Sequence, residues 1–112
     1  MIKATASNSR PTSTDAPSGV DVDISATLTR DASEGGGSET ISGTITLVPD
    51  ADDDRRMVAY GSKPEHWVSS GLLREIRMRE SIEAREILDR VLEAGVGEAM
   101  GLRSSGGVSG VI

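Results

Sequence analysis

The sequence predicts a small α+β protein: a three-stranded, mainly antiparallel sheet in the order β-β-β-α-α, with two C-terminal helices packed on one face. Three observations indicate this fold class. Two segments in the first half alternate between apolar and polar residues, as half-buried strands do. A segment near the end, residues 81–100, has the apolar period of an amphipathic helix. Clusters of Gly, Pro and Asp separate these segments, which is typical of turns.

The chain divides into three parts by composition. Residues 1–19 are rich in Ser, Thr and Pro and poor in large apolar side chains. Such a segment buries too little surface to offset the entropy of ordering it, so we expect a disordered N-terminal arm. Within this arm, residues 2–6 are a candidate edge strand. We expect a single α+β domain over residues 20–102 and a flexible C-terminal tail over residues 103–112.

Residues 20–30 give the clearest strand, and residues 40–48 the next one. In the first, apolar and polar residues alternate without interruption; in the second, Gly43 leaves one inward position without a side chain. The Gly-rich segment 31–39 joins the two, which predicts an antiparallel hairpin. The side chains expected to point into the core are Val20, Val22, Ile24, Ala26, Leu28, Ile41, Ile45 and Leu47.

The opposite face of this hairpin carries mostly hydroxyl and carboxyl side chains. It includes Asp21, Asp23, Thr27, Thr44 and Thr46. We interpret it as the solvated face of a half-buried antiparallel sheet. Thr44 and Thr46 are also candidate contacts to a partner.

Residues 50–56 form an acidic turn that runs into two arginines. Asp50, Asp52 and Asp54 match the first three ligand positions of a calcium-binding loop, but Arg55 stands where that loop needs Gly, and Gly61 where it needs a bidentate Glu. We therefore predict no metal site and interpret the segment as a solvated turn. Its carboxylates are candidate partner contacts, since an acidic row can imitate nucleic-acid phosphates. The four candidates are Asp50, Asp52, Asp53 and Asp54.

Residues 57–60 predict a short third strand, and a helix is expected to follow it. Ser62 and Glu65 have the spacing of a capping box, with Pro64 in the first turn. His66 is the only histidine, so the sequence defines no triad and no multi-histidine metal site. Trp67 is either a core residue or an interface anchor. His66 and Trp67 are therefore kept as candidate partner contacts.

The last helix is predicted over residues 81–100, with Ser81 as its N-cap. Its apolar stripe is expected to pack on the sheet. Gly95 and Gly97 predict an end near Ala94. Whether residues 63–94 form one helix or two stays open, because no Pro or Gly forces a break after Arg77. The stripe consists of Ile87, Leu88, Val91 and Leu92.

Composition excludes several classes of function. The chain has no Cys and only two aromatic residues. The core is therefore thin, which favours a homo-dimer or an obligate partner. Residues 1–54 hold three basic against ten acidic residues, a net charge of −7. That charge disfavours nucleic acid as a partner. No apolar run is long enough for a membrane span, and no secretory signal is present, so we expect a cytoplasmic protein.

One segment resembles the ribbon-helix-helix repressors. It begins with a short strand between basic residues, RRMVAYGSK, and continues into two helices over residues 55–94. Pro64 and Glu65 stand where that family often starts its first helix. The resemblance implies a DNA-binding dimer whose two chains pair these strands. The segment departs from the family in lacking a turn glycine between the helices and in having Trp67.

No catalytic, metal or cofactor motif emerges from the sequence, so we predict a non-enzymatic protein without a cofactor. The expected function is a small acidic protein-binding module. With ten Arg against two Lys, the composition is typical of a high-GC bacterial or phage source. This favours an inhibitor or adaptor, encoded by a phage or mobile element, that acts on a host protein. The alternatives are a structural accessory protein, such as a virion component, that forms a homo-oligomer, and the DNA-binding regulator described above.

Overall fold

The computed structural model describes residues 1–12, 18–53 and 55–111, with side chains for all of these except residue 34 and residues 102–111. Four strands are followed by three helices, and a 3-10 turn, Ala32–Glu34, lies in the second connection. The strands are β1 (Ile2–Pro11), β2 (Val20–Thr29), β3 (Ser38–Pro49) and β4 (Met57–Ala59). The helices are α1 (Pro64–Trp67), α2 (Ser70–Arg77) and α3 (Ser81–Val111).

The structure confirms an α+β fold with an antiparallel sheet and C-terminal helices, but the sheet has four strands where three were predicted. The strand order is β1-β2-β3-β4. The additional strand is β1, which pairs with β2 from Ile2 opposite Leu28 to Pro11 opposite Val20. The prediction of a disordered arm over residues 1–19 is therefore wrong for residues 2–11. Residues 13–17 lie outside the described residues.

The predicted hairpin of β2 and β3 is present in continuous register, from Val20 opposite Leu47 to Thr29 opposite Ser38. The third predicted strand is β4, which pairs with the end of β3. Strict alternation in β2 sends one set of side chains into the core and the other to the opposite face. The inward residues of the two strands are at most 5% exposed: Val20, Val22, Ile24, Ala26, Leu28, Ile41, Ile45 and Leu47.

The segment between β4 and α3 forms two short helices, α1 and α2. They are separated because Val68 forms a β-bridge with Ile45, and Ser69 donates its backbone N–H to the carbonyl of Thr44 at 2.8 Å. Because they bond to the edge of β3, Val68 and Ser69 are not helical, and they separate α1 from α2. The capping box predicted at Ser62 is not formed, since the N-cap residue is Lys63 and has no side-chain capping bond.

A close approach explains Gly43. A Cβ atom at this position would overlap the Cβ of Leu72 and the hydroxyl of Ser69. Glycine therefore lets α2 lie directly against β3, where Leu72 is fully buried.

The last helix is longer than predicted. It begins at Ser81, but it passes the expected end near Ala94 and continues to Val111. The predicted flexible tail over residues 103–112 therefore has helical backbone up to Val111. Gly95 lies inside the helix and faces the sheet. Glycine suits this position because a Cβ would overlap the side chain of Ile45.

The predicted stripe of α3 packs on the sheet, as expected. Ile87 and Val91 are fully buried, and Leu88 and Leu92 lie partly buried against the same core. Burial of each fully enclosed side chain contributes roughly 1.5–3 kcal/mol. The buried residues of α1 and α2 belong to this core as well: Trp67, Leu72, Leu73 and Ile76.

Candidate interaction surface

The side of the sheet opposite the core is its polar face. All side chains there are exposed or half-buried, and the buried residues of the described helices belong to the core on the other side. We call this surface the polar sheet face. It consists of Lys3, Thr5, Ser7, Asp21, Asp23, Ser25, Thr27, Thr40, Ser42, Thr44 and Thr46.

Hydroxyl–carboxylate pairs fix two aspartates on the polar sheet face. Thr46 Oγ1 donates to Asp21 Oδ1 at 2.7 Å, and Thr44 Oγ1 donates to Asp23 Oδ1 at 3.1 Å. The register of β2 and β3 places each pair directly opposite, which is the position where cross-strand side chains meet. The two carboxylates are thereby held in fixed positions.

Asp23 receives two further contacts from β1. Asn8 Nδ2 donates to Asp23 Oδ2 at 2.8 Å, and Arg10 Nη1 lies 3.1 Å from Asp23 Oδ1. Hydrogen bonds from Asn8 and Thr44, and then the Arg10 guanidinium, lower the pKa of Asp23. Asn8 reaches it from an irregularity in the strand, where φ is 53° and the register shifts between Ser7 and Arg10.

The predicted contacts Thr44 and Thr46 therefore lie beside Asp21 and Asp23. Sequence reasoning placed these four residues on one face, because each belongs to an alternating strand. It did not find Asn8 and Arg10, since the strand that carries them was expected to be disordered. The alternation of Ile2, Ala4 and Ala6 was the available signal.

In the acidic turn, two arginines form ion pairs with two of the aspartates. Asp50 Oδ2 lies 2.9 Å from Arg56 Nε, and Asp53 Oδ1 accepts from the backbone N–H and Nε of Arg55 at 3.0 and 3.2 Å. Asp52 is exposed and donates its backbone N–H to Asp50 Oδ1. Asp54 lies outside the described residues. Local cations thus reduce the negative charge that this turn presents.

Of the two candidate partner contacts in α1, His66 lies on the surface and Trp67 does not. Trp67 is only 8% exposed and belongs to the core, so its ring is not an exposed anchor. His66 is exposed and packs against Gly61, whose φ of 106° suits glycine. Glu65 accepts a hydrogen bond from Arg77, and its pKa is lowered, first by its own backbone amide and then by Arg77.

A cluster of four charges was not predicted from the sequence. Arg79 Nη1 and Nη2 each lie 2.7 Å from a different carboxylate oxygen of Glu39, and Arg30 lies 3.3 Å from Glu39. Glu83 lies 3.6 Å from both arginines. The Arg79 hydrogen bonds lower the pKa of Glu39, and Glu39 in turn raises the pKa of Arg79. This cluster ties the β2–β3 connection to the link between α2 and α3.

Two further properties of the described residues concern metal binding and membrane spanning. No group of three or more His, Asp or Glu side chains among them is arranged to hold a metal ion. None of the helices in this part of the chain combines the length and apolar character needed to cross a membrane.

Comparison with known proteins adds no relative. No protein-family model matches the chain, and neither a curated protein nor a solved structure gives a significant match.

Proposed function

We propose that this protein is a small acidic, non-enzymatic binding module that contacts a protein partner through the polar sheet face. The observation that carries the proposal is the pair of aspartates fixed by Thr44 and Thr46. Side chains already held in one arrangement lose little conformational entropy when a partner binds. Arg10 pairs with Asp23, but Asp21 forms no ion pair among the described residues. In the acidic turn two carboxylates are paired with arginines, so the polar sheet face suits recognition better.

The charge of this surface indicates the chemistry of the partner. Asp21 and Asp23 favour a basic partner surface that also offers hydrogen-bond donors. As a more specific proposal, the protein acts in the cytoplasm as an inhibitor or adaptor encoded by a phage or mobile element. Its target is then a host protein whose basic surface the two aspartates engage.

The resemblance to ribbon-helix-helix repressors receives less support. In that family the strand pairs with a second chain, whereas β4 pairs here with β3 of the same chain. Its helical region is also divided at Val68 and Ser69.

Site-specific photo-crosslinking tests the proposed contact. A photoreactive amino acid replaces Ser42, which is exposed on the polar sheet face, or Asp89, which is exposed on α3. The proposal predicts a discrete protein adduct from position 42 in the cells that encode the chain, and none from position 89. The same adduct from position 89 with none from position 42 would place the contact on the helical side.

A further inference from the structure

The strand β1 has one edge along which no other strand of the described residues pairs. Met1 and Thr29 exchange backbone hydrogen bonds at 2.7 and 2.8 Å. In an antiparallel ladder such pairs alternate with pairs that make no hydrogen bond to each other. The backbone N–H and C=O groups of Ile2, Ala4 and Ala6 therefore point away from β2. An edge with such groups is a template for another strand.

Apolar surface continues to this edge and remains partly uncovered there. Leu28 and Ile24 of β2 are 3% and 1% exposed, whereas Ile2 and Ala6, which lie opposite them on β1, are only half-buried. At the same margin Ile82 is 73% exposed. A groove of about 240 Å³ runs between β1 and α3; its lining is Ile2, Lys3, Ala4, Arg90, Glu93 and Ala94.

We propose that a second copy of this chain binds along β1, so that the two β1 strands pair antiparallel about a twofold axis at Ala4. Ile2 then lies opposite Ala6 of the partner subunit. This pairing uses all the outward backbone groups of residues 2–6 and forms about six hydrogen bonds. Two four-stranded sheets join into one sheet of eight strands.

Features of β1 favour a second copy over an unrelated strand. The register irregularity after Ser7 limits regular pairing to the residues before it, and Ala4 is the middle of the outward set. Twofold pairing at Ala4 places Lys3 opposite Thr5 of the partner subunit, so the two lysines do not face each other. A strand centred on alanines leaves room above the sheet for two neighbouring helices.

The helices contribute to the same contact. The side of α3 that lines the groove carries Arg90 and Glu93, which lie 3.5 Å apart as an ion pair, so each copy presents groups of both signs to the other. The helix contact adds to the strand pairing, which alone buries little apolar area. In the dimer both polar sheet faces lie on the same side of one continuous sheet. Two partner contacts per assembly would then raise avidity.

Amide hydrogen exchange on the unaltered chain tests the proposal. In the dimer the amides of Ile2, Ala4 and Ala6 exchange slowly at high protein concentration and faster on dilution. The amides of Lys3 and Thr5 point to β2, so they stay protected at both concentrations and serve as the internal control. Light scattering should give twice 11.7 kDa at the higher concentration. A monomer mass with rapid exchange at Ala4 at every concentration would overturn the proposal.

A variant tests the geometry separately. Ala4→Pro removes an outward amide from an edge strand, where proline is tolerated. It should give a monomer with an unchanged circular dichroism spectrum. Ala4→Ser keeps the amide and should remain a dimer. A folded Ala4→Pro that is still a dimer would contradict pairing at Ala4, and if the variant fails to fold, the exchange measurement decides.

Discussion

The two faces of the sheet are built from the same strands but are organised by different interactions. In β2, Val22 and Ile24 are buried against the helices, while Asp21 and Asp23 on the other face are hydrogen-bonded to threonines. Apolar burial is strong and non-directional, whereas the polar pairs are directional and partly open to water. The comparison indicates that the core face supplies stability, and we propose that the polar sheet face supplies recognition. Substitutions on the two faces should therefore change different properties.

The largest expected effect is loss of stability from the core face. Ile87→Ala deletes a fully buried side chain on α3 and should lower the free energy of unfolding by about 2–5 kcal/mol. Met78→Ala is the control, because Met78, which directly follows α2, is 75% exposed. It should change that free energy by no more than about 0.5 kcal/mol. Chemical denaturation of both variants measures the difference, and equal losses would contradict the assignment of the core.

A smaller effect is expected from acidification at the charge cluster. Arg79 lowers the pKa of Glu39 in the folded state, so the stabilisation is present above the pKa of the unfolded chain. It is lost as the pH falls through the lower, folded pKa. The thermal midpoint should therefore begin to decrease below about pH 5.

Glu39→Gln tests the source of this pH dependence. The variant should have a lower thermal midpoint than the native chain at neutral pH and a shallower decrease on acidification. Asp89→Asn is the control, since Asp89 is exposed on α3 and forms no ion pair among the described residues. If Glu39→Gln leaves the slope unchanged, the cluster is not its source.

The parts of the fold that could be predicted depend on strong local patterns. Alternation identified β2 and β3, and the stripe around Ile87 and Val91 identified α3, because large apolar side chains report burial directly. Of β1, only residues 2–6 were a candidate edge strand, because Ala4 and Ala6 are small and give a weak signal in a Ser- and Thr-rich segment.

Other features depend on residues far apart in the chain. The division between α1 and α2 follows from the pairing of Val68 with Ile45, which no local pattern shows. Gly95 resembled a helix end because the close contact with Ile45 is visible only in the structure. The contact between Arg79 and Glu39 spans 40 residues and was missed for the same reason.

The candidate surface was predicted in part. Alternation placed Thr44 and Thr46 on the same face as Asp21 and Asp23, and their hydrogen bonds follow from the register. The sequence leaves Trp67 as either a core residue or an interface anchor, and its burial places it in the core. Burial of a lone aromatic residue cannot be decided from its neighbours in sequence alone.

The central claim is that the polar sheet face binds a partner while the core face holds the fold together, and one comparison tests it most directly. Asp21→Asn with Asp23→Asn removes both charges at nearly constant shape, and Asp50→Asn with Asp53→Asn removes two charges from the acidic turn. Each protein is used to capture partners from a lysate of the cells that encode it. The account predicts about a tenfold or greater fall in the captured partner for the first pair. The native circular dichroism spectrum should be retained in both pairs, with little loss of capture for the second. Undiminished capture by the first pair would contradict the account.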